Sequence, residues 1–245
     1  MRTRIRRGLA AALAVSALSL TAACGGGDEK GGAAKDGAAK PAAGATTTAA
    51  PTSEAPAAKP LTDAQMKAAL LELKDLPSGW KTTKHPDAPT VYKTSKTECQ
   101  PFADMMSNGE TAGATQSPSA DFARGNNDAE ITERVLSFTG TGAADHLKQL
   151  NTALDTCAEI PVEADGQKMK ITAKKRPAPQ GAEEALAFTL GVEVSPGITI
   201  APNFAYARQG NGVVRLMVLA APAANKDFDE LAKTATDKFV KAAQG

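Results

Sequence analysis

The side chains able to do chemistry are few and scattered. The chain holds two histidines, His85 and His146. Neither has a second His, Cys or carboxylate at metal-ligand spacing, so no metal site and no histidine base is predicted. Glu183 and Glu184 open a strand, where adjacent side chains point to opposite sides, which separates them as an acid–base pair. No Gly-Xaa-Ser-Xaa-Gly, His-Glu-Xaa-Xaa-His or phosphate-loop pattern occurs. No catalytic residue and no cofactor is expected. Lys168, Lys170, Lys174, Lys175 and Arg176 form the densest charge run. On one strand face such a run meets anionic glycopolymers or lipid headgroups, or it makes a solvated outer face that discourages edge pairing; the second reading is preferred. Trp80, the one tryptophan, is either a core plug beneath the Pro77-Ser78-Gly79 turn or the wall of a ligand pocket. Aromatic residues make up 4% of the chain, too few to expect recognition of sugars or nucleic acid by stacking. The remaining reactive atoms are the sulfurs of Cys24, Cys99 and Cys157.

Cys24 is explained by what precedes it. Arg2, Arg4, Arg6 and Arg7 form a basic start, and Leu9 to Leu20 is an uncharged apolar run of 12 residues. A membrane-spanning helix needs about 20 residues, so the run fits the apolar region of a secretory leader. Small residues, Ala22 and Ala23, then stand directly before Cys24. The pattern resembles a bacterial lipoprotein signal peptide over residues 1–23, with Leu20 one place earlier than the commonest arrangement and Thr21 in its stead. The resemblance implies that Cys24 accepts a diacylglyceryl group and that the mature chain is held at the outer face of the membrane. Two acyl chains anchor where one binds only reversibly. The alternative is a secreted protein cleaved at Ala-Xaa-Ala with a cysteine close by. Gly8-Leu9-Ala10 after Arg6-Arg7 fits twin-arginine export poorly, so Sec export is expected.

Loss of the leader's four arginines from 28 Lys and Arg leaves 24 against 27 Asp and Glu, a net of −3. Such a chain has no electrostatic case for a nucleic-acid partner or an anionic membrane surface. Residues 25–60 contain only Gly, Ala, Pro, Thr, Ser, Lys, Asp and Glu. With Cys24 they form the segment 24–60, predicted to be a disordered tether because it cannot offset its ordering entropy by burial. A flexible coil of that length reaches roughly 30 Å. Its Thr46-Thr47-Thr48 and Thr52-Ser53 runs are either O-glycosylated or bare.

Residues 61–245 read as a single domain. Thr62-Asp63-Ala64-Gln65 is a capping box, and a helix is predicted from it to about Leu73, with Met66, Leu70 and Leu73 on one face. Residues 81–92 read as loop with one short strand, Cys99 to about Ser107 as a short helix, and 109–119 as surface loop. Glu130 to Thr139 reads as a strand of imperfect alternation. Leu147, Leu150, Leu154 and Cys157 make one stripe of a helix from about Ala143, which leaves His146 at the stripe margin. After Pro161 the period changes to two. Strands are expected through Met169, Ile171 and Ala173, through Leu186 to Val194, over Ile198–Arg208 with Pro202 at an edge or bulge, and over Val213–Ala220. Asp165-Gly166 is a hairpin signal. A closing helix runs from Asp227 to about Ala242. With Cys24 acylated, two thiols remain, and in an oxidising compartment Cys99 and Cys157 pair. Two buried free thiols are the alternative, and the apolar stripe ending at Cys157 disfavours a Cys–His catalytic pair. The fold class expected is α+β: a twisted antiparallel sheet of about five or six strands with helices packed on one face, and one disulfide.

Leu61 to Gln65, Asp75-Leu76-Pro77-Ser78-Gly79-Trp80, the Cys99 segment, Arg134 to Phe138 and the helix ending at Cys157 resemble uncharacterised actinobacterial lipoproteins. More distantly they are similar to the extracellular sensor domain of mycobacterial transmembrane Ser/Thr kinases. That resemblance implies a twisted antiparallel sheet with packed helices and a ligand cleft, although those domains carry two disulfides and this chain can make one. It transfers no ligand residue. The expected function is a non-catalytic ligand-binding or sensor-like lipoprotein. Its alternatives are an accessory protein docking another envelope protein, or a carrier of lipid or a small molecule.

Overall fold

The computed structural model describes residues 59–84, 90–107, 110–125, 128–195, 197–220 and 227–245. The expected leader, Cys24, the expected tether up to residue 58, and His85 lie outside the described residues. The first helix, α1 (Asp63–Ala69), starts at the capping box. The Gln65 N–H donates to Thr62 Oγ1 at 3.2 Å, and the Thr62 N–H donates to Gln65 Oε1 at 3.0 Å. It is shorter than expected. The backbone becomes extended at Leu70, and a 3-10 turn follows at Leu73–Asp75. Leu73 is therefore exposed, and Leu71 takes its place in the core.

Among the described residues the sheet has eleven strands, more than expected, and every pairing is antiparallel. In chain order they are β1 (Trp80–Thr82), β2 (Lys93–Thr94), β3 (Ala114–Gln116), β4 (Ala120–Arg124), β5 (Ala129–Phe138) and β6 (Glu159–Ala164), then β7 (Gln167–Arg176), β8 (Glu184–Ser195), β9 (Ile198–Ile200), β10 (Asn203–Gln209) and β11 (Gly212–Ala220). They lie side by side as β1-β4-β5-β11-β10-β8-β7-β6-β2, with β3 on β5 and β9 on β8. Most of the extra strands are too short for a period of two to stand out in sequence, whereas β6 alternates cleanly through Ile160, Val162 and Ala164. The expected strand over 198–208 breaks at Ala201-Pro202, since proline has no N–H to donate to a ladder. Asp165 and Gly166 both have positive φ, +50° and +76°, and close the β6–β7 hairpin.

The other three helices are α2 (Gln100–Met106), α3 (Gly142–Thr156) and α4 (Phe228–Gln244). They do not share one side with α1, which corrects the expected arrangement. Along β10, Phe204 and Tyr206 belong to the core under α2 and α3, whereas Ala205 and Ala207 belong to cores built with α4 and α1. Both faces of the strand are buried. The alternation of large and small residues in β8 and β10 looks like an inner and an outer face. Instead the small side, Ala185, Ala187, Ala205 and Ala207, lets α4 approach the sheet closely. Phe228, Leu231, Ala235 and Phe239 of α4 are all buried there. Each buried phenylalanine contributes roughly 1.5–3 kcal/mol.

The start of the domain is pinned to the same side. The Leu61 N–H donates to Ser137 Oγ at 2.7 Å, and the Ser137 hydroxyl donates back to the Leu61 carbonyl at 3.3 Å. The Leu61 side chain lies on Gly212 so closely that a Cβ there would collide with it. On the opposite side, Cys99 and Cys157 form a disulfide with Cα atoms 5.8 Å apart, joining the start of α2 to the end of α3.

Candidate functional site

The two faces of the sheet treat their charges differently. On the α4 face a groove of about 620 Å³ runs between α1 and α4, and Asp75, Asp237, Lys238 and Lys241 are among its lining. Lys238 Nζ lies 2.6 Å from Asp75 Oδ2 and 3.4 Å from Glu72 Oε2. Burial alone pushes the Asp75 carboxyl up, but hydrogen bonds from Lys238 and the Glu72 N–H, with the Lys238 charge, hold it below its usual range. Beneath this network, Glu133 of β5 is fully buried. Its Oε2 accepts the Leu71 N–H at 2.6 Å, while Oε1 is buried without a partner. Burial pushes the Glu133 carboxyl up to about 8, against the pull of the Leu71 N–H and the Lys238 charge. Glu133 is thus a protonated carboxylic acid at neutral pH that braces the end of α1.

This groove is charged and open, unlike the apolar pocket expected of a small-molecule site. Its ions also neutralise one another. A second groove, of about 370 Å³, lies between the 177–180 segment and α4. Trp80 lines neither. It is buried in the core with Leu76, Phe122 and Phe228, and the Arg124 guanidinium sits 4.9 Å from the ring centroid. Arg124 in turn pairs with Asp227 at 3.0 Å. The indole N–H is buried and unpartnered. Trp80 is placed as the core plug.

Four residues of the basic run, Lys168, Lys170, Lys174 and Arg176, share one face of β7, where the three lysines are exposed, and Lys175 points to the other. Successive residues of β7 alternate sides, so Lys175 faces α3, where it reaches Asp155 at 2.6 Å and Asn151 at 3.1 Å. Arg176 faces α4, pairing with Asp229 at 3.0 Å and lying 5.0 Å from the Phe228 ring centroid. Lys170 pairs with Glu159 at 3.4 Å.

The α3 face is covered unevenly. At one end α3 buries Leu136, Phe138, Val213, Phe188 and Tyr206. His146 sits in this packing, its ring centroid 5.4 Å from that of Phe138 and 6.0 Å from that of Tyr206. Its Nε2 is buried without a partner. Burial, reinforced by the Arg215 charge, holds the imidazole down to about 4, so it is neutral at pH 7. Toward the other end, β5 and β11 present Thr132, Arg134, Arg215 and Met217, all only half-buried. Arg134 and Arg215 are direct cross-strand partners. The sequence assigns neither a site role, although both stand at the α3-facing parity of their strands. Glu133 had a readable signal: it occupies the inward parity between Ile131 and Val135.

No family model matches the chain, and no curated protein matches it. Among solved structures, the extracellular domain of PknH from Mycobacterium tuberculosis matches with a TM-score of 0.54 at 16% identity. The match covers 76% of this chain and 98% of that one. This chain has the fold of a mycobacterial kinase's extracellular domain. That bears out the distant resemblance drawn from residues 61–157. An uncharacterised protein of Mycobacterium smegmatis, an Rv0999 ortholog, matches at a TM-score of 0.40 and 12% identity, over 77% of this chain and 97% of that one.

Proposed function

We propose that this chain is a lipid-anchored protein of the cell envelope whose domain recognises a ligand without transforming it. The observation that carries the reading is the fold shared with the PknH extracellular domain across nearly all of that domain. The Cys99–Cys157 disulfide supports an oxidising compartment. The anchor rests on the leader and Cys24. Palmitate labelling in cells tests it directly: label on the wild type and none on Cys24→Ala is expected, and label retained by the variant rejects the anchor. Native mass spectrometry of the protein extracted from its envelope tests recognition. A co-purifying small molecule or lipid is the expected result, and a bare chain counts against it.

A second reading, docking to another envelope protein, is favoured by one feature. Val194, Ile198 and Ile200 of the β8–β9 hairpin are large, apolar and exposed. The same experiment separates the two, since docking gives a stoichiometric protein partner in place of a small ligand.

A further inference from the structure

Five arginines lie between residues 59 and 245. Three are held by carboxylates: Arg124 by Asp227, Arg176 by Asp229, and Arg208 by Glu183 and Glu184. The other two, Arg134 and Arg215, have no carboxylate within ion-pair distance among the described residues. They are also the two that stand side by side. Arg215 of β11 is registered directly on Arg134 of β5, so both side chains leave the same face with their Cβ atoms about 5 Å apart. Like charges directly opposed across a ladder destabilise it. Half-burial sharpens the penalty, because less water is present to screen the pair. A fold that neutralises its remaining arginines yet leaves these two together has the charge arrangement of a site whose counter-ion comes from outside.

We propose that Arg134 and Arg215 form a binding site for a phosphate group on the open part of the α3 face, and that this is the site through which the recognition function proposed above operates. Two guanidinium groups present parallel N–H forks that match phosphate oxygens with bidentate geometry. Neighbouring groups suit an organic phosphate. Thr132 precedes Arg134 by two residues on the same face and offers a hydroxyl. Met217 is the direct partner of Thr132 and gives apolar contact. Tyr206 is the direct partner of Arg215 on its other side, with the unpartnered His146 Nε2 beyond it. Asp121, paired with Thr132 and also on this face, has a buried Oδ1 without a partner, suited to accept a ligand hydroxyl rather than a phosphate oxygen. The shared chemistry is a phosphomonoester or phosphodiester, whether from a lipid headgroup or a free metabolite.

The test uses the full chain in detergent, with inorganic phosphate as probe and chloride at equal ionic strength as control. At 20 mM, roughly twentyfold above a millimolar Kd, phosphate should raise the unfolding midpoint by about 3 to 5 °C over chloride. The double variant Arg134→Gln, Arg215→Gln should lose that rise, and in chloride it should melt at or above the wild-type midpoint because the repulsion is gone. A measurement on the wild type alone guards against a variant that fails to fold: the Nε–H resonances of Arg134 and Arg215 should move on phosphate addition. Adding sn-glycerol 3-phosphate tells the sources apart. Tenfold tighter binding than phosphate points to a headgroup, and equal binding points to a free solute. Superposed phosphate and chloride curves, or shifts at other arginines only, overturn the site. An envelope ligand retained equally by wild type and double variant overturns the site while leaving the recognition reading intact. A chain with no envelope ligand and no phosphate response sinks both.

Discussion

The sheet is one object with two differently built sides. On the α4 side the inward residues of β5, β11 and β10 are buried over most of their length, and the first and last helices close over them. Charges there are matched in place, with Lys238 bridging Glu72 and Asp75 above a protonated Glu133. On the α3 side the cover is a seven-residue helix and one longer one. It spans part of the sheet, is fixed by a covalent bond, and leaves two cations unmatched beside it. One side is a finished core; the other is partly core and partly working surface. Packing supplies the first with stability, whereas a short helix has little area to bury and gains from a crosslink.

The largest test of this contrast is the crosslink. Removing it with Cys99→Ser and Cys157→Ser should cost about 4 kcal/mol, from the closure entropy of a loop of this length. Hydrogen exchange should show α2 and α3 losing protection while α1 and α4 keep theirs; equal loss in α4 would mean that the two sides unfold as one.

Glu133 gives the next effect. Its folded value lies above its unfolded one, so the native state binds the extra proton. Its contribution is complete below about pH 4.5 and is lost as pH rises through about 8. Wild-type stability should therefore fall by about 2 kcal/mol between pH 6.5 and 8. Urea midpoints of Glu133→Gln should be flat over that window, and a parallel slope in the variant would remove Glu133 from the account.

His146, on the other side, has the opposite sign. Its value is depressed, so its contribution is present above about 6.5 and is lost as pH falls toward about 4. His146→Phe should remove roughly 1.5 kcal/mol of acid lability after allowance for partial solvent access. The readout is the midpoint difference between pH 6.5 and 4.5. The smallest effect belongs to Lys238→Met, which should cost about 1 kcal/mol and raise the Glu133 pKa further, because one favourable charge is lost. An unchanged Glu133 titration would show that the groove and the buried acid are independent.

Much of this was legible from residue patterns. The stripe Leu147, Leu150, Leu154 fixes α3, Asp165-Gly166 fixes a hairpin, and the cysteine count fixes the crosslink. The layer count was not legible, because alanine carries no sign of which way it faces. Ala205 and Ala207 are as compatible with solvent as with a helix packed against them. The short strands β2, β3 and β4 were hidden for lack of length. The arginine pair was hidden for a different reason. Arg134 and Arg215 are 81 positions apart in sequence, and only the β5–β11 register brings them together.

Leu61 carries a mechanical consequence. Any tension applied to the chain ahead of Lys59 enters the fold through the paired bonds between Leu61 and Ser137, at the end of the sheet's ten-residue strand β5. The pull therefore reaches β5, which is zipped to β11 along nine residue pairs, before α1 can peel away. A pull at Leu61 would thus load the strand that carries Arg134 directly through Ser137.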